Sequence, residues 1–391
     1  MKHLTNLLAA AALLVAGSLS AQEIQNFRVA EPVVSPEVTA TTVTFRLRAP
    51  QAADVRVQPS WLGYGPDAQE AGKMTKGADG VWTKTFARPA SELYTYTFSV
   101  DGVSTLDPSN VFVQRDGTRF MNALLIDGGL GDLYKECDKA GDLEHVWYWS
   151  RTPGMYRRMY VYTPFGYDPD DKTRKYPVLY LLHGGGGDED AWSTLGRTCQ
   201  ILDNLIARGE AEPMLVVMPN GNPTQRAART LQVPENPNVR TSGNSFDNYE
   251  SLPADIVPYI DLHYNVIRSR EGRALAGLSM GGGQTFFTGF RHEELFSSLG
   301  IFSSGLLGGR TGAFDPEALM PGMYSDPAKY KNLNVLYISC GEQDERLEGC
   351  RDFVGKLREK GYNVVWETCP GGHEWKVWRI NLASFARCLF K

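Results

Sequence analysis

What this sequence lacks narrows the field first. No block of like charges occurs in its 391 residues, and the formal net charge is −5. That argues against the basic footprint of a nucleic-acid binder and against attraction to an anionic membrane surface. An apolar run of about 20 residues, the length that spans a bilayer, is missing, so no stable membrane insertion is expected. The N-terminal run Leu7–Ala16 is shorter and is followed by small residues at Gly17, Ser18, Ser20 and Ala21. This pattern reads as a signal peptide over residues 1–21, so the mature chain is expected to be exported to the periplasm or beyond. No cysteine follows the run to carry a lipid anchor. Cysteine and histidine are both scarce, at six each. The cysteines, Cys137, Cys199, Cys340, Cys350, Cys369 and Cys388, match no zinc spacing, so neither a metal nor a cofactor is expected.

What is present falls into two patterns. From residue 22 to about 125 the period is two: Val43, Phe45 and Leu47 alternate with Thr44, Arg46 and Arg48, and Tyr94, Tyr96, Phe98 and Val100 follow. Short alternating runs broken by Gly, Pro and Asp predict an all-β, immunoglobulin-like sandwich. From about 126 to 391, apolar runs of four to six residues alternate with helical stretches. Strands are predicted at Val178–Leu182, Met214–Met218, Ala274–Ala276, Val335–Ser339 and Val364–Trp366. Helices are predicted over 199–207, 252–264, 281–290, 347–360 and 375–389. That alternation means an α/β, doubly wound and mostly parallel sheet.

Three stretches of this second region carry chemistry. Gly277-Leu278-Ser279-Met280-Gly281 fits G-x-S-x-G. With 40 glycines in the chain the string alone says little. Its placement, between a predicted strand and a glycine-rich helix, is what a nucleophile elbow requires. His183-Gly184-Gly185-Gly186-Gly187 follows a predicted strand, as an oxyanion loop does. A phosphate loop would need Lys-Ser or Lys-Thr next, and Asp188-Glu189 stands there instead. Backbone donors are therefore expected at Gly184 or Gly185 and at Met280, with His183 shaping the loop. Only His292 and His373 follow Ser279. His292 lies at the end of the helix after the elbow, too close to swing back, whereas His373 lies in a loop after the last strand. His373 is thus the expected base. The acid should come from Gly341-Glu342-Gln343-Asp344-Glu345; Asp344 is the first choice, with Glu342 and Glu345 as alternatives. Trp192, after the oxyanion loop, and Trp375, after the base, are placed to stack on an aromatic acyl group.

Arg157-Arg158-Met-Tyr-Val-Tyr-Thr-Pro164, Tyr176–Gly184, Gly277–Gly281, Cys340-Gly341 with Asp344, and Gly371-Gly-His373 together resemble carbohydrate esterase family 1. That family holds feruloyl and acetylxylan esterases and is related to esterase D and the mycolyltransferases. The resemblance implies an α/β-hydrolase fold, with nucleophile, base and acid at Ser279, His373 and Asp344. It also implies esterified plant cell-wall polysaccharide, such as arabinoxylan, as substrate. The polar segment 225–245 does not align and is expected to form a loop near the site. Upstream, Tyr94–Phe98, Val100–Gly102 and Asp107-Pro-Ser-Asn110 resemble the early-set domain of carbohydrate-binding module family 48. In that family some members bind glucans through exposed tryptophans, and Trp61, Tyr64 and Trp82 are the candidates here. Three rivals stand beside these expectations: a siderophore-ester hydrolase, an acyltransferase, and a non-catalytic sugar-binding protein.

Overall fold

The computed structural model describes residues 33–223, 225–228, 249–307 and 314–391. The expected leader and residues 229–245 of the polar segment lie outside them. The chain divides into two compact units, Met1–Pro89 with Tyr96–Phe112, and Ala90–Thr95 with Val113–Lys391.

The first unit is all β. Glu37–Val38, Thr42–Arg48, Val81–Ala87 and Thr75–Lys76 form one antiparallel sheet in that order. Val55–Pro59 pairs with residues 96–100, which also pair with Val103–Thr105. The alternation seen in the sequence has its expected consequence: Val43, Phe45, Val57 and Phe98 are fully buried. Trp82 is buried as well, with Nε1 donating to Ala49 O (2.9 Å). Trp61 is half-buried and packs on Phe45 and Phe86. Of the three aromatics named as glucan-binding candidates, only Tyr64 stands out into solvent.

The second unit is built on an eight-stranded sheet. Its strands are β1 (Asp142–Ser150), β2 (Met155–Thr163), β3 (Val178–Leu182), β4 (Leu215–Pro219), β5 (Arg273–Leu278), β6 (Ser298–Phe302), β7 (Val335–Gly341) and β8 (Val364–Cys369). The order across the sheet is β1-β2-β4-β3-β5-β6-β7-β8. The β1–β2 and β2–β4 pairs are antiparallel and all others parallel. The principal helices are α1 (Thr198–Ala207), α2 (Val257–His263), α3 (Met280–Arg291), α4 (Leu347–Glu359) and α5 (Trp375–Cys388). Pleating sends Tyr180 and Leu182 into a core with Ile260 of α2, Phe286 of α3 and Phe353 of α4. Leu179 and Leu181 enter the opposite core, with Leu202 of α1 and Leu382 of α5. Both faces are covered, which is why β3 to β6 read as unbroken apolar runs. This is the α/β-hydrolase fold. The parallel strands end at one edge of the sheet, and the loops that leave β3, β5, β7 and β8 there carry the candidate site.

Ala90–Thr95 and the hairpin Val113–Asp116/Arg119–Ile126 belong to the second unit. Side chains explain why. Arg379 of α5 donates to Glu92 Oε1 and Leu93 O (both 2.9 Å), and this ion pair is buried. Arg115 of the hairpin is paired with Asp188. Period-two alternation reports strands, not which core their side chains enter.

Candidate active site

The conformation of Ser279 is set by steric necessity. Ser279 joins β5 to α3 at φ +51°, ψ −110°, outside the regions open to most side chains. Such a conformation costs about 1–3 kcal/mol and persists only when its neighbours enforce it. They do. Ser279 N donates to Phe302 O (2.9 Å), and Ser279 O accepts from Gly283 N (3.1 Å) and Gly305 N (2.9 Å). The flanking glycines are required by close approach. A Cβ at Gly277 would lie 2.5 Å from the Gly281 carbonyl, and one at Gly281 would lie 2.5 Å from Leu182 O.

Two hydrogen bonds link this serine to the predicted base and acid. His373 Nε2 lies 3.0 Å from Ser279 Oγ, and His373 Nδ1 lies 2.7 Å from Asp344 Oδ2. Oδ1 of Asp344 accepts from Arg346 N (3.1 Å) and Arg346 Nη1 (3.0 Å), so each carboxylate oxygen has its own task. Burial by itself would push the Asp344 pKa up. The hydrogen bond and charge of His373, joined by the hydrogen bonds from Arg346, outweigh it and hold the group at about 2. Glu342 and Glu345, the alternative acids, are at the surface, whereas Asp344 is buried. His292 lies beside Glu250 (3.5 Å) and Glu294 (3.4 Å), at the far end of α3.

The glycine loop lies against the serine: a Cβ at Gly184 would stand 3.3 Å from Ser279 Cβ. Gly221 N donates to His183 Nε2 (2.8 Å), so that nitrogen is the acceptor and Nδ1 carries the proton. Nδ1 donates to Gly184 O (2.7 Å), which also accepts from Gly187 N (3.2 Å). Burial pushes the His183 pKa down, which suits this neutral tautomer. In a trans peptide the N–H points opposite to the C=O. Fixing Gly184 O toward His183 therefore aims the Gly185 N–H the other way. Met280 is the first residue of α3, and its N–H is one of the helix-terminal donors left without an intrahelical acceptor. Gly185 and Met280 can thus both present N–H groups to an oxyanion beside Ser279.

Trp192 is not a stacking surface. It is 1% exposed, its Nε1 donates to Leu182 O (2.9 Å), and its ring packs on Phe302 and Trp375. With its N–H and its ring both engaged, it supports β3 from beneath. Trp375 is half-buried, edge-on between Trp192 and Trp378. Trp378 meets the His373 ring edge-on at 4.9 Å. Sequence reasoning missed Trp378, three residues after Trp375 and hence on the same helix face. It also missed Arg346, whose only signal was its position two residues past Asp344. Among the described residues no cluster of three or more His, Cys, Asp or Glu could hold a metal ion. No helix there is long and apolar enough to cross a membrane. All six cysteines are free thiols.

Comparison with known proteins bears on this geometry. Residues 150–387 match the family described as Putative esterase. Over 368 residues, 92% of this chain, there is 30% identity to an endo-1,4-beta-xylanase/feruloyl esterase of Xylanibacter ruminicola. The chain spans 46% of that relative's length. A solved ferulic acid esterase superposes with TM-score 0.52 and 26% identity, covering 65% of this chain and 99% of its own. The enterobactin esterase of Shigella flexneri superposes with TM-score 0.63 over 90% of this chain and 94% of its own. Its identity is 16%, so that likeness is one of fold alone.

Proposed function

We propose, from the premise that this chain belongs to the Putative esterase family and is a carboxylic ester hydrolase, that it removes feruloyl and related hydroxycinnamoyl groups from arabinoxylan, with some deacetylation of acetylated xylan. The observation that carries this reading is the hydrogen-bonded line Asp344–His373–Ser279 in a chain 30% identical, over 92% of its length, to a xylanase/feruloyl esterase. In this reading Ser279 Oγ attacks the ester carbonyl while His373 Nε2 takes its proton. Asp344 holds the imidazole tautomer and stabilises the cation that forms. The oxyanion accepts from the Gly185 and Met280 N–H groups, each worth about 3–4 kcal/mol to the transition state. His373 then gives the proton to the departing sugar oxygen, leaving an acyl-Ser279 that water hydrolyses by the same steps in reverse. The Leu7–Ala16 run supports export, which suits a polymeric substrate outside the cell.

A second reading, cleavage of a catecholate siderophore ester, draws support from the 90% coverage by the enterobactin esterase fold. One panel separates them: kcat/KM for methyl ferulate, for acetylated xylo-oligosaccharide and for enterobactin. Methyl ferulate is expected to lead, with ferulate released from wheat arabinoxylan. A strong preference for the acetyl substrate with no ferulate release would overturn the feruloyl assignment, and a preference for enterobactin would favour the second reading.

A further inference from the structure

Glycine loops do not hold their own shape. Gly185 has nothing within 4 Å of where its Cβ would be, and Gly186 takes φ +82°. Glycine loses more conformational freedom on ordering than any other residue, so the direction of a Gly–Gly peptide N–H has to be set by what surrounds it. On one side the surroundings are the catalytic core: His183 fixes Gly184 O, and Asn222 Nδ2 donates to Gly187 O (2.9 Å). On the other side they are the hairpin Val113–Asp116/Arg119–Ile126, some 70 residues upstream.

That hairpin meets the loop and the segment that follows it at three successive points. Its turn residue Gly117 lies against Gly186 O, 3.3 Å from an ideal Cβ. Arg115 Nη2 donates to Asp188 Oδ1 (2.9 Å) and Oδ2 (2.8 Å), and lies 3.5 Å from Asp190 Oδ2. Gln114 Nε2 donates to Thr194 O (2.9 Å). Arg115 is itself braced, with Nη1 donating to Gly117 O (2.9 Å). Asp188 is 4% exposed, and its carboxylate also accepts from Asp190 N at 3.2 Å. A carboxylate buried to that degree needs a cation, and removing the cation strands it. The carboxylate sits one residue past the last glycine, so whatever moves it moves the donor peptide.

We propose that Arg115 is a positioning residue for ester hydrolysis: by gripping Asp188 it fixes the glycine loop so that the Gly185 N–H stays aimed at the oxyanion. This rests on the reading of Gly185 as a donor and of Ser279 as nucleophile. Donors of this kind act on charge that develops only in the transition state, so their misplacement lowers kcat and leaves substrate binding nearly alone. A lysine keeps the charge but loses the two-pronged geometry, so it should restore part of the effect.

The test compares the wild-type chain with Arg115→Met and Arg115→Lys in hydrolysis of p-nitrophenyl acetate, with melting temperatures measured alongside. Wild-type turnover is the control for the underlying reading: an inactive wild type refutes that reading and not the grip of Arg115. The expected result in Arg115→Met is a kcat about 10- to 100-fold lower with KM nearly unchanged, and an intermediate kcat in Arg115→Lys. Should Arg115→Met not fold, Arg115→Lys decides alone, with a reduced kcat at wild-type KM expected. Wild-type kcat in a folded variant, or a raised KM at unchanged kcat, would overturn the proposal.

Discussion

The two sides of the site are held by different kinds of contact. Asp344 and His373 stand on loops that follow adjacent strands, β7 and β8, and these loops hold each other. Glu342 N donates to Cys369 O, Gln343 N to Gly371 O (both 2.9 Å), and Gly371 N to Gln343 Oε1 (2.6 Å). The glycine loop after β3 is held by residues scattered through the chain. Arg115 takes Asp188; Arg158 (2.8 Å), Asn220 (3.0 Å) and the Ala228 N–H (2.6 Å) all take Glu189; Gly221 sets the tautomer of His183. Behind them the buried Arg157 donates to the carbonyls of Asn220, Asn222 and Gln225. The difference follows from what each side supplies. In the proposed mechanism the acid and base act through side chains that bring their chemistry with them. The proposed oxyanion donors are backbone N–H groups, alike at every position, and only the surrounding packing would make two of them useful.

The acid–base side should break hardest. Asp344→Asn is expected to lower kcat by about three to four orders of magnitude, because the base loses its orienting anion. Glu342→Gln should change it little. Steady-state kinetics of the two variants checks the assignment, and exchanged effects would move the acid to Glu342.

On the oxyanion side the expected loss is smaller. His183→Phe removes the proton that fixes Gly184 O and should lower kcat about 10²- to 10³-fold with KM nearly constant. It also strands the buried Gly221 N–H, at a cost of about 1–3 kcal/mol in stability. An unchanged kcat in folded protein would show that the loop orients its donor without this histidine.

The smallest effect sharpens the contrast through pH. His183 is held below its ordinary pKa, so the unfolded chain binds its proton first and the wild type loses stability as pH falls below about 6.5. Asp344 is held at about 2, so its contribution is complete above the ordinary carboxylate value near 3.9 and fades only as pH falls from there toward 2. The melting-temperature gap between wild type and His183→Phe should therefore narrow below about pH 6.5. The gap to Asp344→Asn should hold until about pH 4. Gaps that close in the same window would mean that one of these two groups is not in the state its contacts imply.

The same contrast explains what was legible in the sequence. Ser279, His373 and Asp344 were readable because each is a reactive side chain at a fixed place in a strand–loop grammar, and the structure brings all three together. The parallel sheet was readable because strands covered on both faces are unbroken apolar runs. Strand β6 was not picked out, although its Phe302 carbonyl holds the elbow in place. Trp192 was misread because a tryptophan near a catalytic loop looks the same in sequence whether it faces a ligand or the core; its bond to Leu182 O settles it as core. Arg115 was invisible for a different reason. It lies in a segment whose alternation assigns it to the sandwich, and its partner is 73 residues away. No local pattern records a pairing of that span.

The most direct test of the account is covalent labelling with a fluorophosphonate, followed by peptide mass spectrometry and an assay on p-nitrophenyl acetate. The account predicts one adduct per chain, on the peptide bearing Ser279, with esterase activity falling in step with labelling and no labelling of Ser279→Ala. An adduct on another residue, or activity that survives complete labelling, would contradict it.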